Sequence, residues 1–201
     1  MNGPTPLSLL ETLKKNPSDP AALRGFGELY GLWMRSWLSG WARLPYGDPT
    51  LEELVRQALG WVIRYLSTYQ PGGQVGPFRI WFRRVLARVL NQCLSQPGPI
   101  QTTLAPRAAE LNAVLTRLDQ NQSDLAQEFD RQHQEQVGRA LLERARTQFR
   151  GPPWEVFQRL TLDGQAPEAV AANLSLNPSD IWLYNARVIA WLRLEGQAFL
   201  D

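Results

Sequence analysis

Residues 167–194, PEAVAANLSLNPSDIWLYNARVIAWLRL, decide the reading of the fold. Pro167 to Leu174 is a short, Ala-rich amphipathic segment. Ser175-Leu176-Asn177 breaks the pattern, and a new helix is expected from Pro178 to Leu194. Its start is well marked. Asn177 suits the N-cap, Pro178 the first helical position, and Asp180 the positive end of the helix dipole. Ile181, Tyr184, Val188, Trp191 and Leu192 fall on one apolar stripe at helical spacing, leaving Ser179, Trp182, Asn185, Arg187 and Arg193 off it or at its edge. A short helix, a tight turn and a longer helix with a polar face form the helix-turn-helix pattern, whose second helix can enter a DNA major groove. An ordinary helical hairpin shares this pattern, and the spacing alone does not separate the two.

The remaining 173 positions extend the helical reading. Leu7 to Lys15 is a short amphipathic helix closed by Asn16-Pro17. Asp19 to about Arg43 is a long one carrying Leu23, Phe26, Leu29, Tyr30, Trp33, Trp37 and Trp41. Thr50 and Glu53 have capping-box spacing and would start a helix running to about Thr68, before the breaker Gln70-Pro71-Gly72-Gly73. A further helix spans Pro77 to Leu94. Residues 100–122, rich in Gln, Thr, Ala and Asn, carry a weaker helical pattern, and 98–122 is the expected linker. A helix from about Ser123 to Phe149 then leads through Gly151-Pro152-Pro153 to the C-terminal pair. No stretch sustains the two-residue alternation of a strand, so the expected class is all-α: two small helical domains, 1–97 and 123–201, joined by a linker.

Composition limits the chemistry. A hydrophobic fraction of 44% with eight tryptophans is ample for a packed core. The single cysteine, Cys93, excludes an internal disulfide and, set between Leu90 and Leu94, reads as a buried, inert thiol. The lone histidine, His133, lies in the polar run DRQHQEQ and is expected to be solvated, with no second His or Cys beside it to make a metal site. No nucleophile–base set, Gly-rich phosphate loop or metal cluster is present, so neither an enzyme nor a cofactor is expected. The first residues, MNGPTPLSLL, lack a basic region followed by a long apolar one, and no apolar run reaches membrane-spanning length. A cytoplasmic location without membrane insertion is the expectation.

Charge is unevenly distributed. Residues 1–97 hold 11 Lys/Arg against six Asp/Glu, residues 98–150 hold seven of each, and residues 151–201 hold three against six. No acidic residue lies between Glu53 and Glu110, whereas Arg56, Arg64, Arg79, Arg83, Arg84, Arg88 and Arg107 all do. A surface of one sign concentrates polyanions, and arginine grips phosphate bidentately. Within Pro77–Leu94 (PFRIWFRRVLARVLNQCL) the arginines sit beside Phe78, Trp81, Phe82 and Val85. Arginines on phosphates with aromatics on unpaired bases would grip a single strand. The competing reading makes the aromatics core, with the arginines solvating the outer face.

Several segments, in order, carry a resemblance. Leu54-Val55, Ala58-Leu59, Tyr65 and Tyr69 are followed by Gly76-Pro77-Phe78-Arg79-Ile80-Trp81-Phe82 and Ala87-Arg88. Later come Ala140-Leu141-Leu142-Glu143-Arg144-Ala145-Arg146, Trp154-Glu155-Val156-Phe157, Glu168-Ala169-Val170-Ala171-Ala172-Asn173-Leu174, Asn185-Ala186-Arg187-Val188 and Leu192-Arg193. This series resembles the extracytoplasmic-function class of bacterial RNA polymerase sigma factors, over nearly the full chain. The resemblance implies a protein that binds core RNA polymerase and directs promoter recognition and transcription initiation. Glu52, Glu53 and Gln57 would lie at the polymerase contact. Arg79, Trp81, Arg83, Arg84 and Arg88 would face the −10 region, and Ser179, Trp182, Asn185 and Arg187 the −35 element of promoter DNA. An anti-sigma factor is a further possible partner. Charge reversal at Arg83 and Arg84 together is expected to abolish transcription and spare polymerase binding. The chain departs from the family's pattern at Arg56-Gln57, where Gln-Glu is usual, at Val89 for Asn, and at Asn185, where Lys is usual. Two alternatives therefore stay open: a helix-turn-helix regulator that works without polymerase, and a sigma-like module that binds proteins.

Overall fold

In the computed structural model, residues 6–70 and 77–200 are described, and all of their regular structure is helical. The ten α-helices are α1 (Pro6–Lys15), α2 (Pro20–Ala42), α3 (Pro49–Tyr65), α4 (Phe78–Ser95), α5 (Pro99–Leu104), α6 (Ala108–Asp119), α7 (Asp124–Gln148), α8 (Pro152–Phe157), α9 (Pro167–Leu174) and α10 (Pro178–Leu200). The all-α expectation holds. The Gln70-Pro71-Gly72-Gly73 breaker and Gly76 fall largely outside the described residues.

Proline punctuates this chain. α2, α3, α5, α8, α9 and α10 each have it as their first residue, where the missing N–H has no helical partner to lose. Before two of these prolines an aspartate supplies the cap. Asp19 Oδ1 accepts from Ala22 N at 2.8 Å, and Asp48 Oδ1 from Thr50 N at 2.7 Å. The second bond corrects the expected Thr50–Glu53 capping box. An Asp-Pro start two residues upstream takes the cap, and Glu53 is left to bond Arg56 and Gln57.

The chain divides into two compact units. The first holds the described residues up to Val137 with those from Ala198, and the second is Gly138–Gln197. In the first unit α2 packs on α1 and α3, and α4 on α3 and α6. Its core is aromatic: Phe26 and Tyr30 of α2, Phe78 and Phe82 of α4, and Phe129 of α7 are all buried. The Tyr30 and Phe82 rings stack at 5.0 Å, an arrangement that adds to the area they bury.

The expected linker does not exist as one. Residues 99–119 form α5 and α6, and α6 packs against α4. Leu104, Leu111, Leu115 and Leu118, spaced by seven, four and three residues, are each at most 4% exposed. The polar composition that suggested a linker belongs to the outer face of these helices. The division between compact units falls instead at Val137/Gly138, within α7.

The second unit has two small apolar clusters. Val156, Val170, Ala171 and Ile181 form one, with Leu160, Leu174, Leu176 and Tyr184 against it. Ala145, Phe157 and Val188 form the other, flanked by Phe149, Trp154 and Trp191 among others. Between α8 and α9 the backbone widens into a π-turn, Gln158–Leu162. Gly164, at φ 67, reverses the chain after it in a conformation that costs glycine no Cβ clash.

Candidate nucleic-acid interface

The helix-turn-helix pattern of the second unit is realised as a short helix, a three-residue turn and a long helix. α9 stops at Ser175, which takes the left-handed conformation (φ 53, ψ 42). Leu176 N then donates back to Ala171 O at 3.0 Å, satisfying one of the helix's open carbonyls. At the start of α10, Asp180 N donates to Asn177 O at 3.0 Å. Ile181 and Val188 point into the core, as the apolar stripe required.

The outward face of α10 carries Ser179, Trp182, Leu183, Ala186, Arg187, Ala190, Arg193 and Leu194. Trp182 is 58% exposed, and Leu183 and Leu194 are both 55% exposed. Arg187 and Arg193 are exposed, with neither an ion pair nor a hydrogen bond among the described residues. Of the four α10 residues expected to approach DNA, Ser179, Trp182 and Arg187 share this face. Asn185 does not. It is buried, and its Oδ1 accepts from Thr161 Oγ1 at 2.8 Å, tying α10 to the π-turn.

The arginine cluster of α4 separates in the same way. Arg88 is exposed and Arg84 half-buried, and the two line an open cleft of about 660 Å³ with Asn91 of α4 and Asn112 and Thr116 of α6. Arg79 is half-buried. Arg83 is fully buried, which removes it from any surface contact. Its guanidinium donates from Nε to Asp130 Oδ1 at 2.9 Å, from Nη2 to Asn121 Oδ1 at 2.9 Å, and from Nη1 to the carbonyl of Leu118. The Leu118 carbonyl lies in the last turn of α6, so Arg83 closes that helix end while Asp130 of α7 balances its charge. Trp81 is likewise core: 3% exposed, its ring 5.5 Å from that of Tyr69, its Nε1 donating to Thr68 Oγ1 at 3.2 Å. Trp81 and Arg83 are thus corrected from strand contacts to parts of the interior. Reversing the charge of Arg83 would disrupt the unit, so the double substitution cannot report on promoter contact alone.

The three residues expected at a polymerase contact lie on α3 and are all half-buried. Glu52 is gripped bidentately by Arg35 of α2, both bonds at 2.8 Å, and this holds its carboxyl below the usual range. Glu53 is held low by Arg56 and by Gln57, whose Nε2 donates to it at 2.7 Å. Gln57 Oε1 in turn accepts from Cys93 Sγ at 3.4 Å. All three therefore have partners within the first unit.

His133 overturns the expectation of a solvated side chain. It is fully buried on α7, with Nε2 2.9 Å from the Tyr30 hydroxyl and Nδ1 without a partner. Burial, with a smaller contribution from the positive charge of Arg79, holds the imidazole down to about 3. The polar run around it is one face of a helix whose other face, Phe129, His133 and Val137, spaced by four, is core. That spacing was the available signal. Cys93 is buried, as its apolar surroundings indicated.

Among the described residues no group of His, Cys, Asp or Glu is arranged to hold a metal ion, and no helix is long and apolar enough to cross a membrane. Neither a family model, nor a curated protein, nor a solved structure matches the chain.

Proposed function

We propose that the chain is a sigma-type transcription initiation factor, a non-catalytic cytoplasmic protein whose partners are core RNA polymerase and promoter DNA. The observation that carries this reading is the tight α9–α10 turn, whose second helix holds Ser179, Trp182 and Arg187 on one exposed face, with Arg187 and Arg193 unpaired among the described residues. Such a face supplies side chains for base edges and cations for flanking phosphates. The ordered sequence resemblance supports the same assignment, and in the first unit Arg84 and Arg88, on the open side of α4, would supply phosphate contacts. Glu52, Glu53 and Gln57 would meet polymerase only by exchanging partners they already hold.

The test is competition between the purified protein and the housekeeping sigma factor for core RNA polymerase of its own host, followed by promoter-dependent transcription. Competition and specific initiation support the proposal. A folded protein that binds duplex DNA but not polymerase makes it a conventional helix-turn-helix regulator.

A second reading rests on a particular observation. Trp182, Leu183 and Leu194 expose more apolar surface on α10 than contact with thymine methyl groups would use. If the protein binds neither polymerase nor DNA, this face is a protein-docking surface, and an anti-sigma-like partner is the class to seek.

A further inference from the structure

A cleft of about 440 Å³ opens in the first unit between α2, α6 and α7. One wall is a ladder of tryptophans, Trp33, Trp37 and Trp41, placed four residues apart along α2 so that all three lie on one side of the helix. The ladder is braced from behind. Phe129 of α7 meets Trp33 edge-on at 5.1 Å and Trp37 at 90° and 5.3 Å. Trp37 and Trp41 stand 7° from parallel with ring centroids 6.4 Å apart. The indole Nε1 atoms of Trp33 and Trp41 are shut off from solvent and have no acceptor, an unusual state for a buried donor.

The rim carries the complementary information. Arg43, at the C-terminal end of α2, pairs with Glu110 of α6 at 2.8 Å. Glu110 also receives Arg107 at 3.2 Å from outside the cleft, so this carboxylate keeps a partner when Arg43 turns away. Arg43 is 70% exposed in its side chain and able to turn toward a ligand without leaving a buried group behind. Gly40 also lines the cleft. A Cβ there would meet nothing within 4 Å, so no neighbour demands glycine, the weakest helix former after proline, at this interior helical position. Only a longer side chain at this position would reach across the cleft.

We infer that this cleft is a binding site for a small planar aromatic carboxylate, its ring against the tryptophan ladder and its carboxylate at Arg43. The volume suits a small molecule, and the aromatic wall with a few polar groups is the usual make-up of such sites. Arg43, able to leave Glu110 to Arg107, supplies the cation that an anion needs, whereas aromatic cages without one hold cations. The assignment is independent of polymerase or DNA binding, and it adds a small-molecule input to the first unit.

Isothermal titration of the full chain with indole-3-acetate, indole and tryptamine tests it. Indole-3-acetate binds with one-to-one stoichiometry, indole more weakly, and tryptamine at least about tenfold more weakly than the acid. Gly40→Leu fills the cleft and removes binding, while its melting temperature equals or exceeds that of the wild type because leucine is the better helix former. Gly40→Ala, adding one methyl group in open space, binds the acid nearly as the parent does. Arg43→Gln weakens the acid by about tenfold and leaves indole unchanged. No binding of the acid at millimolar concentration would overturn the inference. So would acid binding that survives in Gly40→Leu, or tryptamine binding as tightly as the acid. Should Gly40→Leu fail to fold, Arg43→Gln and the ligand ranking still decide.

Discussion

Replacing Arg83 with alanine provides the sharpest test of the first unit. The substitution removes a fully buried guanidinium and with it three acceptors' partners: Asp130, Asn121 and the Leu118 carbonyl. Breaking a buried ion pair from one side costs about 3–5 kcal/mol, because the remaining charge stays desolvated and unpaired. Asp130 is 20% exposed in its side chain, so water partly replaces the lost partner and the lower end, about 3 kcal/mol, applies. That is a large part of the roughly 5–15 kcal/mol that holds a domain folded. Five of the eight tryptophans, Trp33, Trp37, Trp41, Trp61 and Trp81, lie in the first unit, so urea unfolding followed by tryptophan fluorescence reads it. The control is Arg88→Ala on the same helix, an exposed site where a change within about 0.5 kcal/mol is expected. Should Arg83→Ala shift stability by less than about 1 kcal/mol, the buried network would not be the one described. Arg83 would then return to the surface as a candidate nucleic-acid contact.

Acid should destabilise the first unit before its carboxylates titrate. Unfolded His133 takes up a proton below its ordinary value of 6.5, whereas the folded imidazole resists until about 3, so stability falls as pH drops through this window. The loss by pH 5 is about 2 kcal/mol, and His133→Gln should flatten the pH dependence of unfolding between pH 7 and 5. Asp48→Ala should cost about 1 kcal/mol by uncapping α3, several times the effect of Thr50→Ala, as measured by denaturant midpoint. Ser175→Gly should stabilise the second unit by about 0.5–1 kcal/mol, since a left-handed residue there no longer carries a Cβ, and Ser175→Val should do the opposite. In DNA-binding titrations across salt concentrations, Arg187→Glu should weaken binding and lower the slope of log affinity against log salt by about 1 or more.

The parts of this fold visible in the sequence are those written in local code. Proline-led starts, apolar spacing and the Ser175-Leu176-Asn177 break placed α2, α4, α9 and the start of α10 close to their observed positions. What local code does not carry is partnership across the chain. Arg83 finds its counter-charge 47 residues away in Asp130, and nothing in FRIWFRRV announces that one of three arginines will turn inward. His133 was hidden by polar neighbours belonging to the opposite face of α7. The segment 98–122 was hidden by average composition, although its four leucines keep helical register. Asn185 sits at the edge of the apolar stripe, and the π-turn that claims its side chain is itself a tertiary product. The tryptophan ladder was legible as three apolar positions, but a helix stripe looks the same whether it ends against packing or against a cleft.

Cys93 has a practical consequence. It is the chain's sole thiol, it lies 6% exposed on the inner side of α4, and burial pushes it above its ordinary value. A reagent therefore reaches it only when that part of the molecule transiently opens. The protein carries a built-in clock. The rate at which an alkylating agent consumes Cys93 reports how often the packing of α4 on α3 around it comes apart, without any introduced label. Small molecules, DNA or a protein partner that clamp the first unit should slow that clock, and those that engage only the second should leave it running at the same rate.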